Sequence, residues 1–267
     1  MADTDGAFIW YELMTPDPDA AKAFYDRVVG WDIEAQPAGE MDYRMIRRSD
    51  GGNAGGVLRL SEAMTAGGAR PAWMGYVSVA DVDAAVAAFE AEGGRAHMPA
   101  TDMPGVGRIA MVADPRGATL YLMKPTPPPG QPDAVSDVFS VDRPQHVRWN
   151  ELATTDDAGA LDFYARHFGW KHDGGMPMGE LGTYNFIAQG GRMIGAVMPL
   201  MPGMPASAWS FYFGVDDIDR GAAAIREGGG TVIAEPMQIP GGEYSLSAAD
   251  PQGAHFGLVG PRHASGE

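Results

Sequence analysis

Two glutamates and two tyrosines stand where acid–base chemistry could be done. Glu12 lies in the run Trp10-Tyr11-Glu12-Leu13 and Glu151 in Trp149-Asn150-Glu151-Leu152. Tyr76 and Tyr212 follow Trp73 and Trp209 at the same spacing. A carboxylate among aromatic side chains is desolvated, which moves its pKa toward the range useful for acid–base work. A phenol beside it can supply the proton. Glu12 and Glu151 are therefore candidate acceptors or ligand anchors, and Tyr76 and Tyr212 candidate donors. The same residues also have a structural reading. Strand glutamates accept hydrogen bonds from tyrosine hydroxyls and backbone amides, and so complete a buried polar cluster.

The elements that must position these residues are repeated. Residues 10–34 read WYELMTPDPDAAKAFYDRVVGWDIE, and residues 149–173 read WNELATTDDAGALDFYARHFGWKHD, with 11 of 25 positions identical at an offset of 149 − 10 = 139. Residues 73–125 match residues 209–261 at an offset of 136, with 18 of 53 identical. A period this long exceeds the roughly 20–50 residues of a solenoid unit, so the chain is a duplicated domain.

Each half divides again. Polar and apolar residues alternate over residues 8–15, the pattern of a half-buried strand. Asp17-Pro18 then supplies an N-cap and a first-turn proline, and Ala20, Phe24 and Val28 recur at helical spacing up to Gly30. Three short strands are expected near Ile33, over residues 43–47 and near residues 57–60. The plan recurs with a strand at residues 76–79, a helix capped by Asp81, and strands ending at residues 118–123. The fold class is α+β: four βαβββ modules paired into two cup-shaped half-barrel domains by internal duplication. Strand alternation turns Tyr11 and Leu13 toward the helix and Trp10, Glu12 and Met14 toward the cup. Trp149, Glu151 and Ala153 do the same in the second half, and Trp73 and Trp209 extend the aromatic wall. Gly55, Gly56 and Gly195 fall on strands of the cup floor, where they leave room for a ligand or allow tight strand curvature. Of the six histidines, His167 and His172 flank Gly169-Trp170 and are expected to face solvent. Which modules share a cup is left open by the sequence. That choice decides whether Glu12 meets Tyr76 or Tyr212.

The ordered recurrence of two motifs carries a family resemblance. One is an Asp followed by a helix with Phe-Tyr, here Asp17…Phe24-Tyr25 and Asp156…Phe163-Tyr164. The other is Asp-Pro-x-Gly before a last strand, here residues 114–117 and 250–253. The chain resembles the vicinal oxygen chelate superfamily of glyoxalase I, bleomycin-resistance proteins, fosfomycin-resistance enzymes and extradiol dioxygenases. The resemblance implies metal-ligand positions seven residues before the first Asp and seven after the second. Here these hold Trp10, Trp149, Tyr121 and Gly257, with Met74 and Ser210 in the first strands of modules two and four. None is a usual ligand for a divalent ion. His255 lies two residues before position 257 and points the same way along its strand, either as a ligand or base or as a partly exposed strand histidine. Trp10, Trp149, Tyr121, His255 and Met14 are thus candidate ligand-binding residues. No cofactor and no metal residues are predicted, although a divalent metal is not excluded.

Bulk composition narrows the remaining choices. The chain has 267 residues, no cysteine, and a net charge of −16 from 35 acidic and 19 basic residues. Disulfide and thiolate chemistry are excluded, and the negative field disfavours nucleic acid and anionic membranes. No run approaches the ~20 apolar residues of a membrane span, and residues 1–10 lack a signal pattern, so a cytoplasmic location is expected. Five of the ten residues in 124–133 are proline, which favours extended backbone. The expected division is a first glyoxalase-like domain at 1–124, a linker at 125–145 and a second such domain at 146–267. Two functions fit. One is a bleomycin-resistance-like protein that binds a small aromatic or planar molecule without the usual metal site. The other is a lyase, isomerase or oxygenase of the glyoxalase or dioxygenase kind, using Glu/Tyr acid–base chemistry or an unusual metal site. The partner in both is a small organic molecule, and the chain could be a monomer or a homodimer.

Overall fold

The computed structural model describes residues 5–131 and 133–263. Module one is β1 (Phe8–Thr15), α1 (Pro18–Val28), β2 (Asp32–Ile33), β3 (Tyr43–Arg47) and β4 (Asn53–Arg59). A short helix, α2 (Glu62–Ala66), leads to module two: β5 (Ala72–Ser78), α3 (Val82–Ala91), β6 (Arg95–Met103), β7 (Gly107–Ala113) and β8 (Thr119–Pro125). Module three is β9 (Val147–Thr154), α4 (Asp157–Phe168), β10 (Lys171–Pro177), β11 (Thr183–Gln189) and β12 (Arg192–Pro199). Module four is β13 (Ala208–Gly214), α5 (Ile218–Glu227), β14 (Thr231–Gln238), β15 (Tyr244–Ala249) and β16 (His255–Gly260). The four long helices start alike. Asp17, Asp81, Asp156 and Asp217 each accept a hydrogen bond from a first-turn amide, which satisfies one of the donors a helix start leaves open.

The strands form two eight-stranded mixed sheets, ordered β2-β3-β4-β1-β5-β8-β7-β6 and β10-β11-β12-β9-β13-β16-β15-β14. The same order appears twice, as expected of a duplicated α+β chain. Within each module the first strand pairs parallel to the last, as β1 with β4 and β9 with β12. The intervening helix makes this crossover possible. By packing density the chain forms two compact units. One contains the described residues up to Trp10, Met74–Ser136 and Trp149–Trp209, and the other contains Tyr11–Trp73, Asp137–Arg148 and the residues from Ser210 onward. Each sheet therefore takes two consecutive modules, whereas each compact unit is built mainly of one module from each half. Among the described residues, no helix is long and apolar enough to cross a membrane.

The motif residues hold the interior of each unit. In one, Trp73 Nε1 donates to Tyr25 Oη at 2.9 Å and Tyr25 donates to Asp250 Oδ2 at 3.1 Å. In the other, Trp209 donates to Tyr164 at 3.2 Å and Tyr164 to Asp114 Oδ2 at 3.1 Å. The second oxygen of each aspartate is occupied as well. Asp250 Oδ1 accepts from the amides of Gln252 and Ala254, and Asp114 Oδ1 from those of Arg116 and Ala118. Burial raises the pKa of both aspartates and holds both phenols well above their ordinary value. The tyrosines therefore stay protonated as donors. Trp73 and Trp209, expected in the aromatic wall of a cup, are instead buried core residues bonded to helix tyrosines.

A second correction concerns His167. Its side chain is only 7% exposed and packs against Phe89 and Phe163, at ring separations of 4.5 and 4.3 Å. It sits on the fourth turn of α4, one turn after Phe163, and so shares that residue's buried face. Burial keeps the His167 and His146 imidazoles below their ordinary value of 6.5. As pH falls through 6.5, the unfolded chain takes up protons that these two side chains refuse, so stability falls with acidification. Thermal melts between pH 7.5 and 5.5 should show this loss, and His167→Phe should reduce it by keeping the ring contacts without the titration. An equal loss in the variant would assign the effect elsewhere.

Candidate functional site

The side chains best placed for chemistry lie on three strands of module three. Glu151 is in register with Ala196, and Ala196 with Phe186; Leu152 is in register with Val197, and Val197 with Asn185. Registered partners share a face of the sheet. Asn185 Nδ2 donates to Asp157 at the start of α4 at 3.2 Å, so the Leu152–Val197–Asn185 row faces the helix. The Glu151–Ala196–Phe186 row faces away from it, together with Trp149 two residues earlier on β9.

On that face Trp149 Nε1 donates to Tyr184 Oη at 2.7 Å, and Tyr184 Oη donates to Glu151 Oε2 at 2.6 Å. Phe186 stands edge to face against both rings, 6.1 Å from Trp149 and 5.8 Å from Tyr184. All four side chains are half-buried. The chain has one direction, because indole can only donate and an ionised carboxylate can only accept. A hydroxyl-to-carboxylate bond of this length belongs to the strong, charge-assisted class.

The same unit places Tyr76 and Tyr121 in register on β5 and β8, with rings stacked at 4.2 Å and 10°. Both are buried, as is Met74, and Trp10 is half-buried at the edge of this unit's share of β1. In the other unit Glu12 and Met14 are buried on β1. Glu12 is in register with Gly56, where a Cβ would overlap the hydroxyl of Tyr43. Gly56 is thus glycine because the Tyr43 ring lies across it. Gly195 answers the sequence question differently: a Cβ there would strike the Asn150 carbonyl oxygen on the adjacent strand, so close strand approach is what it allows. Tyr212 lies in register with Gly257 and its ring fills the space a side chain at 257 would need. The Tyr212 hydroxyl is 3.4 Å from Ser247 Oγ. His255 is exposed at the first position of β16.

The structure therefore brings Trp149 and Glu151 together, through a tyrosine that sequence reasoning did not select. Tyr184 and its counterpart Tyr43 are separated by 184 − 43 = 141 residues, within two of the first-strand offset. That recurrence was the available signal. Phe186 had none, since Met45 stands at the corresponding place.

The residues do not fit a divalent metal at the positions the resemblance implies. Tyr121 is stacked on Tyr76, and position 257 is a glycine covered by Tyr212. Trp149 uses its one donor within the chain, and an indole offers no lone pair for coordination. Among the described residues there is no group of three or more His, Asp or Glu that could hold a metal ion.

Comparison with known proteins agrees with this architecture. A profile of the Glyoxalase/Bleomycin resistance protein/Dioxygenase superfamily matches residues 7–122 and 143–258. The chain is 35% identical over 255 residues to "Putative glyoxylase CFP32" of Mycobacterium tuberculosis, covering 94% of each chain. It is 29% identical over 272 residues to "Anthracycline biosynthesis protein DnrV" of Streptomyces peucetius, covering 95% of this chain and 93% of that one. Among solved structures, 2,2',3-trihydroxybiphenyl 1,2-dioxygenase of Sphingomonas wittichii superposes with a TM-score of 0.64 at 14% identity, over 97% of this chain and 92% of that chain. Motifs, sheet order and matched profile converge, and the chain belongs to the glyoxalase/bleomycin resistance protein/dioxygenase superfamily.

Proposed function

We propose that the chain binds a small, planar or aromatic organic molecule on the strand face that carries Trp149, Glu151, Tyr184 and Phe186, and that it does so without a divalent metal. One observation carries this reading: a half-buried indole and phenol are locked in orientation by a hydrogen-bonded run that ends on a carboxylate. Rings held this way offer flat apolar area with little left to order on binding, which is how pre-organised aromatic surfaces gain affinity. The carboxylate gives the surface a polar anchor. The names of the relatives, a glyoxylase and an anthracycline biosynthesis protein, are both names of small-molecule chemistry. Glu12, with Tyr43 lying across its strand neighbour, is the counterpart of Glu151 in the first half.

A second reading, proton-transfer catalysis of the lyase or isomerase kind, is favoured by the 2.6 Å contact between Tyr184 and Glu151. A phenol and a carboxylate at that distance can exchange roles as donor and acceptor toward a bound compound. Titration of tryptophan fluorescence with a panel of planar aromatics tests the binding reading. Saturable quenching in the wild type, much reduced in Trp149→Phe, supports it. Flat responses across the panel in folded protein remove it. Turnover of a bound compound that disappears in Glu151→Gln while binding persists would establish the catalytic reading instead.

A further inference from the structure

We propose that Asp173 is a site of spontaneous isoaspartate formation, the position at which this chain gains a backbone isomer that an S-adenosylmethionine-dependent isoaspartyl methyltransferase can label. The chemistry needs no reactant but water. The backbone nitrogen of Gly174 attacks the carboxyl carbon of the Asp173 side chain. The new C–N bond closes a five-membered succinimide, and the carboxyl hydroxyl leaves as water with the amide proton. Water then adds at the former backbone carbonyl of Asp173, and the original peptide C–N bond breaks. The chain now runs on through the side-chain carboxyl carbon. Its mass is unchanged and its backbone is one methylene longer.

Three Asp-Gly sequences occur in the chain, at residues 5–6, 50–51 and 173–174. Glycine makes each reactive, because no side chain shields the attacking nitrogen and the backbone turns freely. Hydrogen bonds restrain the first two. Gly6 N donates to the Ser78 carbonyl at 2.9 Å, and Gly51 N to the Arg48 carbonyl at 3.1 Å. The Asp50 carboxylate is held as well, by Arg48 Nε and by the Gly52 amide, both at 3.0 Å. A nitrogen that gives its hydrogen to a carbonyl must open that bond before it can turn on the neighbouring side chain.

The third pair sits where the sheet is least regular. β10 is an edge strand, and its register with β11 passes from His172–Ile187 to Gly175–Asn185. Asp173 and Gly174 thus stand opposite Phe186 alone, a bulge whose extra residue drops out of the ladder. Both are exposed, and among the described residues no group donates to the Asp173 carboxylate. Gly174 takes a φ of +80°, and a Cβ there would meet nothing within 4 Å, so the ring has room to close. Gly51 is equally open, which leaves bonding rather than space as the difference. The pair is also no product of the duplication. The aligned residue in the first half is Glu34, followed by Ala35, and edge strand β2 ends at Ile33. Met176, two residues beyond Gly174, is in register with Tyr184, so the longer backbone falls at the margin of the face that carries Tyr184.

Prolonged warm incubation of the folded protein tests this, followed by isoaspartyl methyltransferase labelling with tritiated S-adenosylmethionine and peptide mapping. Label at Asp173 should exceed label at Asp5 and at Asp50 by about fivefold or more, the factor that one net backbone hydrogen bond imposes on opening. In urea, where the fold restrains none of the three, the sites should agree within about twofold. Asp173→Glu, whose longer side chain cannot close the five-membered ring, should lose label in that peptide alone. Label spread evenly over the three sites in folded protein would overturn the assignment. So would more label at Asp5 or Asp50 than at Asp173, no label at Asp173, or label that persists at position 173 in Asp173→Glu.

Discussion

Asp250→Ala should destabilise the protein by about 3–5 kcal/mol, read as a fall in the urea midpoint at unchanged slope. The variant would leave three donors without an acceptor: the Tyr25 hydroxyl and the amides of Gln252 and Ala254. Each buried donor left unsatisfied costs about 1–3 kcal/mol, and the amides, on a loop, regain part of this from water. Tyr25 cannot, because it is fully buried against Trp31, Trp73, Phe213 and Phe256. Asp114→Ala removes the matching acceptor from Tyr164 and should cost a similar amount. Asp250→Asn keeps one carbonyl oxygen for the loop amides and should lose roughly half as much. An unfolding free energy within about 1 kcal/mol of wild type for Asp250→Ala would show that these bonds contribute little net stability.

Trp149→Ala is expected to have the largest effect on binding, a loss of about 30- to 100-fold in affinity for planar aromatics, in line with truncation of a central aromatic anchor. Its effect on stability should be about 1 kcal/mol or less, since the indole is half-buried. Tyr184→Phe separates shape from hydrogen bonding. It keeps the ring beside Phe186 but breaks both bonds of the run from Trp149 to Glu151, and should weaken binding by about tenfold. Calorimetric titration and urea unfolding of the two variants measure both quantities. If Trp149→Ala loses stability rather than affinity, the indole is a core residue and the binding face lies elsewhere.

Much of this architecture was legible in the sequence. The duplicated Trp-x-Glu-Leu strands, the Asp caps and the Asp-Pro-x-Gly turns are local signals, and each appears where its residues imply. The roles of those motifs were less legible. Tyr25 and Asp250 are 225 residues apart and meet within one compact unit, a long-range fact that no periodicity encodes. Trp73 and Trp209 read as part of the wall, but they lie within β5 and β13, and local sequence does not fix which strand face meets the helix tyrosines. His167 appeared solvent-facing from its position near a helix end, yet helical spacing places it under Phe163. In the candidate site, strand alternation correctly grouped Trp149 with Glu151. It could not supply Tyr184, whose strand is joined to β9 only through β12. Glycine had the opposite ambiguity. Gly56 and Gly195 both signal close approach, and only coordinates distinguish a tyrosine ring from a neighbouring carbonyl.

On the proposed function, rings and a carboxylate serve this chain where the implied ligand positions of its superfamily would hold an ion. Calorimetry on chelator-treated protein, with and without added Mn²⁺, Fe²⁺, Zn²⁺ and Ni²⁺, decides this when each sample is titrated with a planar aromatic ligand. Saturable ligand binding of the same affinity in every sample is expected, with no stoichiometric uptake of any ion. Tight one-to-one metal uptake, with aromatic binding appearing only after it, would show that the binding face needs an ion after all.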